Sequence, residues 1–274
     1  MLLFDWRSRV LNYLYLTIPL VNWQAYSDTG EMDLVTIAFD NPMTVEVQTK
    51  LLRKFLRDSF VYTVADNSTD KATRKQIYQL CRNLGVNYLA LPPQFGVANP
   101  SLSHGLAMNW VYQKYLRWRN RKLFGFIDHD VFPLKETNIS KEMNKTDIWG
   151  LPQKRGRRWY LWAGFCFFRR EVFSRQFPNF LPAEGLDTGG GNWENIYQKR
   201  KFNFELEQKH SYRRITRQGH MVPLSGGAKE ITLLNQGTLA EVFGDWCHIF
   251  GFSWRKKSSN YYKHRFLTQM IGKC

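Results

Sequence analysis

The stretch Leu123-Phe124-Gly125-Phe126-Ile127-Asp128-His129-Asp130 decides the fold of this chain. It begins as a short apolar run and ends in two carboxylates that flank a histidine. A continuous apolar run of this length is typical of a strand that is buried on both faces, as in a parallel sheet. Ligands of open parallel sheets bind just beyond the carboxyl ends of the strands. We therefore expect Asp128 and Asp130 to lie at a ligand-binding edge, where paired carboxylates suit Mg²⁺ or Mn²⁺.

Strands and helices alternate before this stretch. Apolar runs at 34–39, 60–65 and 87–91 predict three earlier strands. Asn41 and Pro42 suit the start of a helix after the first strand, and Gly85 suits the end of the helix after the second. A further helix is predicted to start near Ser101 or Ser103. This alternation is the pattern of an α/β protein with a mostly parallel central sheet flanked by helices.

The alternation stops after Pro133. An aromatic-rich strand is predicted at 158–169, followed by a glycine-rich turn at 186–192 and a helix at 193–201. Short strands and loops are expected in the last third, before a basic and aromatic tail from Arg255. No linker or internal repeat interrupts the pattern, so we expect one domain.

Composition restricts the class of partner. The chain has 274 residues and a formal net charge of +16, which predicts anionic partners such as nucleic acid, an acidic membrane surface or phosphorylated small molecules. A hydrophobic content of 43% excludes a disordered chain. The four cysteines form no CxxC pair, which favours a reducing compartment and a cytoplasmic location.

Residues 1–32 are predicted to form an N-terminal arm. The apolar stretch from Val10 to Val21 is shorter than the ~20 residues that span a bilayer. Apolar residues among positions 2–6, mixed with Arg7 and Arg9, suit contact with a membrane surface. The alternative is an arm that packs on the domain.

Aspartates also follow two earlier strands. Asp40 comes after the first predicted strand and Asp66 after the second, so both are expected at the same edge as Asp128. Helix capping is the alternative role for each. The helix start that carries His104 is expected at this edge too, where its amide donors suit phosphate. A buried structural histidine is the alternative for His104.

These residues, in this order, resemble the GT-A fold glycosyltransferases. The resemblance rests on Asp66-Asn67-Ser68, then Ser103-His104-Gly105 with Asn109, and then Phe126-Ile127-Asp128-His129-Asp130. It implies a single domain with a Rossmann-like sheet, in which residues 33–135 bind a nucleotide sugar and 136–274 bind the acceptor. The chain departs from the commonest bacterial pattern at two places. That pattern has Asp-Asp-Gly-Ser where this chain has Ala65-Asp66-Asn67-Ser68. Many relatives carry an arginine where this chain has His104.

The resemblance also implies an activity. A sugar would pass from a UDP- or GDP-linked donor to a hydroxyl of a glycan or lipid-linked acceptor, with inversion and with Mn²⁺ or Mg²⁺, as in polysaccharide biosynthesis. Asp187 would be the general base that takes the acceptor proton. Glu194 is the second choice, and a turn aspartate is the structural alternative for Asp187. His248 would complete the metal site with Asp128 and Asp130, although a histidine among aromatic residues is often structural.

The remaining site residues follow from the same resemblance. Contacts with the donor are expected from Phe39, Asp40, Asn41, Asp66, Asn67, His104, Asn109, Asp128, His129, Ala163 and Gly164. Contacts with the acceptor are expected from Trp162, Gly189, Gly190 and Trp193.

Two other functions are alternatives to this one. A nucleic-acid-binding protein without catalysis fits the net charge and the interleaved aromatic and basic residues. It leaves the strand-end aspartates unexplained, since carboxylates repel phosphate, so nucleic acid is not the expected partner. A sugar-nucleotide-forming nucleotidyltransferase is disfavoured because no glycine-rich loop with a phosphate-binding Arg or Lys follows the first strand.

Overall fold

The computed structural model describes residues 2–20, 22–94, 96–202, 212–216, 221–223, 238–249, 263 and 265–270. The α-helices among these residues include α1 (Leu2–Thr17), α2 (Pro42–Phe55), α3 (Lys71–Leu84), α4 (Pro100–Lys114) and α5 (Ile139–Met143). The strands are β1 (Trp23–Gln24), β2 (Met32–Ala38), β3 (Phe60–Asp66), β4 (Asn87–Ala90), β5 (Leu123–Asp128), β6 (Val131–Pro133), β7 (Ile148–Arg155), β8 (Arg158–Arg169), β9 (Tyr212–Thr216), β10 (Met221–Pro223), β11 (Thr238–Phe243) and β12 (Trp246–Ile249). The predicted tail begins at Arg255, outside the described residues.

Seven strands form the central sheet in the order β1-β4-β3-β2-β5-β8-β7. Strands β4, β3, β2 and β5 are parallel, whereas β1, β8 and β7 each run antiparallel to their neighbour. Because β7 is antiparallel to β8, it points the same way as β5. The predicted α/β class with a mostly parallel sheet is confirmed, and so are the predicted strands that became β2, β3, β4, β5 and β8.

Both faces of this sheet are buried, which explains the uninterrupted apolar runs. Side chains of α1, α4 and one sheet face share a core that includes Tyr15, Trp110 and Phe124. Side chains of α2, α3 and the other face share a second core that includes Leu52 and Ile77. Each strand therefore places apolar side chains on both faces, whereas the strands of a half-exposed sheet alternate apolar and polar residues.

The same asparagine-proline pair starts two of the helices. Asn41 Oδ1 accepts from the Thr44 backbone N–H at 3.2 Å, and Pro42 is the first residue of α2. Asn99 Oδ1 accepts from the Leu102 N–H at 3.0 Å, so α4 begins at Pro100, slightly before the predicted start. Asparagine satisfies an orphan amide, and proline has no N–H to lose at this position.

A second, antiparallel sheet adjoins the end of β5. Its order is β10-β9-β11-β12-β6. Only His129 and Asp130 separate β5 from β6, so Asp128-His129-Asp130 is the link between the two sheets. His248 of β12 pairs with Val131 of β6, which brings β12 alongside that link.

The helix predicted at 193–201 is wrong in extent. A short 3₁₀ turn at Gly190–Asn192 leads into a π-helical turn at Trp193–Tyr197, and the helix ends there. Ile196 and Tyr197 are buried, but the charged residues that follow supply no further apolar face. The side chain of Arg200 instead donates to the Ile196 carbonyl at 2.8 Å.

Candidate active site

The Asp128-His129-Asp130 link lies at the carboxyl edge of the parallel strands, as expected. Asp128 pairs in register with Ile37, near the end of β2. The buried side chain of Gln48, on α2, donates to the backbone carbonyls of Asp128 at 2.7 Å and Val131 at 2.6 Å. This amide holds both ends of the link, and sequence reasoning missed it because nothing near Gln48 in the sequence indicates the contact.

The N-terminal part of α4 meets Asp128 at this edge. His104 Nε2 lies 3.4 Å from Asp128 Oδ1. Gly105 permits the close packing that holds this part of the helix, because a Cβ there would lie 2.6 Å from the Phe180 carbonyl oxygen. The N-terminus of α4, where the helix dipole favours negative charge, therefore lies at the same edge as the carboxylate.

The backbone of β8 passes directly beside Asp128. A Cβ on Gly164 would lie 2.4 Å from Asp128 Oδ2 and 2.4 Å from the Trp162 ring. Glycine at this position therefore leaves room for the carboxylate. Ala163, the preceding residue, is buried.

A chain of three side chains extends from the link into the second sheet. His248 Nε2 lies 3.7 Å from Asp130 Oδ1, and His248 Nδ1 lies 2.7 Å from Glu241 Oε1. Glu241 and His248 are cross-strand partners on β11 and β12. The Trp162 ring packs on the imidazole with centroids 4.6 Å apart. Glu241 was missed by sequence reasoning because the β11–β12 register supplies the contact.

Negative charge is concentrated here. Burial raises the pKa of Asp128; His104 opposes this rise, whereas Asp130 adds to it. Burial alone would lower the pKa of His248, but Asp130, Glu241 and Asp128 together outweigh it and raise that pKa to about 9. The histidine thus acts as a counter-charge to the carboxylates, a role that a cation can also fill.

The donor set suits a hard divalent cation. Carboxylates of Asp128 and Asp130 and the imidazole of His248 are accepted ligands of Mn²⁺. A histidine that binds metal through one ring nitrogen usually donates the N–H of the other to a carboxylate. Glu241 occupies the position of that carboxylate beside His248 Nδ1. Among the residues that the structure describes, no group of three such side chains forms a ready-made metal shell.

Three residues expected to contact the donor lie inside the protein. Asp66 has no exposed surface, and its carboxylate accepts from the Ser68 N–H at 2.9 Å and the Tyr88 hydroxyl at 2.9 Å. Buried Asn109 joins Asn12 of α1 to the Phe180 backbone. Asn41, also buried, caps α2. Their observed contacts are with the chain itself.

The loops after β2 and β3 hold three further expected donor contacts, and His129 lies in the link after β5. Asp40 has a left-handed backbone (φ 45°), and its Oδ1 accepts from the Thr69 N–H at 3.0 Å. Asn67 Nδ2 donates to the Ser103 hydroxyl at 3.1 Å, which ties this loop to the start of α4. Phe39 is exposed at 43%. His129 Nδ1 lies 3.2 Å from the Ile37 carbonyl, and its Nε2 is a buried atom without a hydrogen-bond partner.

The turn that carries Asp187 docks between α4 and β8. The Thr188 hydroxyl donates to the Ser101 carbonyl at 2.9 Å, at the first turn of α4. Gly189 (φ 94°) packs on β8, where a Cβ would meet the Leu161 carbonyl at 3.2 Å and Ala163 Cβ at 3.9 Å. Gly190 opens the 3₁₀ turn that follows. The Asp187 side chain is exposed at 43%, and its Oδ2 lies 4.0 Å from Arg155 Nη2.

The two remaining candidates follow this turn. Trp193 is half-buried and packs against the core beside α4. Glu194 is exposed.

Comparisons with known proteins give partial likenesses. No protein-family model matches the chain, and no curated protein matches it. The galactosyltransferase LgtC, solved with donor and acceptor sugar analogues, is 15% identical and aligns with 50% of this chain and 58% of its own at a TM-score of 0.36. A mannosyltransferase from Pyrobaculum calidifontis, in complex with GDP-Man and Mn²⁺, is 14% identical over 69% of this chain and 57% of its own, with a TM-score of 0.41.

A mannosyltransferase from S. cerevisiae is 10% identical over 63% of this chain and 66% of its own, with a TM-score of 0.40. The chain thus spans 57% to 66% of the length of these three structures. At such low scores the likeness is partial, and the function proposed next rests on the chain's own site.

Proposed function

We propose that this protein is a metal-dependent glycosyltransferase that moves a sugar from a nucleotide-diphosphate donor to a hydroxyl of a glycan or lipid-linked acceptor, with inversion. One observation carries the proposal. Two carboxylates, Asp128 and Asp130, meet His104 from α4 and His248 from β12 at the carboxyl edge of the parallel strands. Ligands of open α/β sheets bind at this edge.

Asp128, Asp130 and His248 would hold Mn²⁺ or Mg²⁺, and Glu241 would orient the imidazole. When bound, the cation supplies Lewis-acid stabilisation of charge on the departing diphosphate. Burial and, to a smaller extent, Asp130 raise the pKa of Asp128, and a bound divalent cation would stabilise its ionised form against both effects.

The donor would lie across the first turn of α4 and the loops after β2 and β3. His104 would bind the diphosphate, and the helix dipole at the start of α4 would favour its negative charge. Phe39, Asp40, Asn67 and His129 would surround the nucleoside, and Gly164 and Ala163 would let the sugar approach β8. Buried Asp66, Asn41 and Asn109 would keep these segments in place without contacting the donor.

The acceptor would lie beside the turn at 187–190, with Trp162, Gly189, Gly190 and Trp193 around it. Asp187 would take the proton of the acceptor hydroxyl. At the same time the hydroxyl oxygen would bond to C1 of the donor sugar, and the bond from C1 to the diphosphate would break. Docking of Thr188 on Ser101 supports this role, because it ties the base to the helix start proposed for the diphosphate.

A donor-hydrolysis screen with UDP- and GDP-linked sugars tests the proposal. The protein should release the nucleoside diphosphate from at least one donor with Mn²⁺ and from none in EDTA. Thermal shift separates the proposal from nucleic-acid binding. Stabilisation by UDP or GDP that requires Mn²⁺ supports the transferase, whereas stabilisation by a single-stranded oligonucleotide without metal contradicts it.

A further inference from the structure

Helix α1 carries apolar side chains on two opposite faces. One face packs on α4 and includes buried Tyr15 and half-buried Leu11. The other face is exposed: Trp6, Val10, Tyr13 and Leu14 follow at helical spacing, with Trp6 exposed at 65% and Tyr13 at 71%. Contiguous large apolar side chains that are exposed mark surfaces that bind a partner, so the outer face of α1 is suited to one.

The exposed face continues onto two neighbouring segments. Tyr13 and Trp118 line the same surface groove, about 340 Å³ in volume, together with Lys114 and Arg117. The Arg117 guanidinium lies 5.0 Å from the Trp118 ring centroid and 4.6 Å from that of Phe177. Trp118 is exposed at 73% and Phe177 at 51%. We call the surface formed by Trp6, Val10, Tyr13, Leu14, Trp118 and Phe177 the aromatic patch.

Cations border the aromatic patch. Arg7 and Arg9 are exposed on α1, and Lys114 and Arg117 line the groove. The segment from 113 to 122 contains five Lys or Arg residues and no acid. Arg119 and Arg121 from this segment pair with Asp28 and Asp33. The charge that faces outward around the patch is therefore positive.

We propose that the aromatic patch docks the protein on an anionic membrane surface. Exposed Trp, Tyr and Phe enter the boundary between headgroups and acyl chains, while Arg and Lys bind the headgroups. In the part of the chain that the structure describes, every helix is too short or too polar to span a bilayer. A second copy of this cationic face fits poorly, because like charges repel.

Helix α4 sets the distance between the patch and the candidate active site. Lys114 borders the patch at one end of α4, and His104 is the fifth residue from the other end. Ten residues of α-helix span about 15 Å. The site would thus face the headgroup region at a short distance, although docking itself does not depend on the proposed function.

Vesicle sedimentation tests the proposal. The wild-type protein should bind vesicles of equal parts phosphatidylcholine and phosphatidylglycerol, bind less at high salt, and bind weakly to phosphatidylcholine alone. The triple variant Trp6→Ser, Tyr13→Ser, Trp118→Ser should lose at least about tenfold in partition coefficient, since large apolar side chains no longer leave water. The single variant Tyr13→Ser should show a smaller loss in the same direction.

The matched control is Tyr26→Ser. Tyr26 is also exposed, but it lies beside Tyr78 of α3, on the other side of the sheet. This control should bind vesicles like the wild type, and all variants should unfold at the wild-type temperature. Wild-type protein that ignores the acidic vesicles, or a folded triple variant that binds them fully, would overturn the proposal. So would a wild-type dimer that the triple variant converts to monomer without any vesicle binding.

Discussion

The imidazole of His248 is held between two carboxylates. Its Nδ1 lies 2.7 Å from Glu241 Oε1, and its Nε2 lies 3.7 Å from Asp130 Oδ1. When Nδ1 donates to Glu241, Nε2 presents its lone pair toward Asp130. The pairing of β11 with β12 thus selects the ring nitrogen that would bind a metal beside the Asp128-His129-Asp130 link.

Glu241→Gln should weaken Mn²⁺ binding. The amide keeps the size of the side chain but removes the charge that orients His248 and raises its basicity. Loss of such a partner lowers metal affinity by about 10- to 100-fold. Calorimetric titration with Mn²⁺ measures the change, and Glu136→Gln is the control because Glu136 pairs with Arg57 on the surface. Equal affinity in the wild type and Glu241→Gln would remove Glu241 from this role.

Mn²⁺ affinity should rise with pH up to about pH 9. The metal-free pKa of His248 is raised to about 9, so below that pH the imidazolium must lose its proton before it can bind metal. One proton released per metal gives about a tenfold gain in apparent affinity per pH unit between neutral pH and about pH 9. Titrations across this range should show that slope in the wild type and a flatter profile in His248→Ala. Identical profiles would exclude His248 as a ligand.

Gly164→Ala should weaken metal binding, whereas Gly85→Ala should lower stability. The new Cβ at 164 would lie 2.4 Å from Asp128 Oδ2, so the carboxylate must move and Mn²⁺ binding should fall at least about tenfold. Gly85 caps α3 with φ 60° and has open space around its Cβ position. Alanine there should cost about 1 kcal/mol in the free energy of unfolding and leave metal binding unchanged. Urea unfolding and Mn²⁺ titration of both variants measure these two effects. If Gly164→Ala binds Mn²⁺ as tightly as Gly85→Ala does, Asp128 is not a ligand.

Asp187→Asn should abolish transfer while donor binding persists. The amide cannot accept the acceptor proton, and loss of a general base costs about 100- to 10,000-fold in rate. Glu194→Gln, on the same segment, should retain activity. Rate constants with the donor found in the hydrolysis screen, together with its dissociation constant, separate chemistry from binding. If Glu194→Gln is the inactive variant, the base assignment moves to Glu194.

Local patterns account for what the sequence could predict. The strands β2, β3, β4 and β5 follow from apolar runs, and the start of α2 follows from the pair Asn41-Pro42. Parallel pairing then places the ends of these strands at one edge, so the meeting of Asp128 and His104 could be anticipated. These signals depend on neighbours in the sequence and on one rule of sheet topology.

Long-range packing accounts for what the sequence could not predict. Asp66 follows its strand as expected, but Ser68, Tyr88 and the interior hold its side chain away from the surface. Gln48 and Glu241 contact the link region from α2 and β11, and no local pattern indicates either contact. The predicted helix at 193–201 stops at Tyr197 because the apolar face ends there.

Binding of UDP and GDP to Asp130→Ala tests whether the Asp128-His129-Asp130 link holds a metal on the diphosphate. By calorimetry, the wild type should bind at least one of the two diphosphates with Mn²⁺ and neither in EDTA. Asp130→Ala, with an unchanged circular dichroism spectrum, should lose at least about 100-fold in that metal-dependent affinity, since one carboxylate ligand is gone. Undiminished Mn²⁺-dependent binding by Asp130→Ala, or wild-type binding that is independent of metal, would contradict the account.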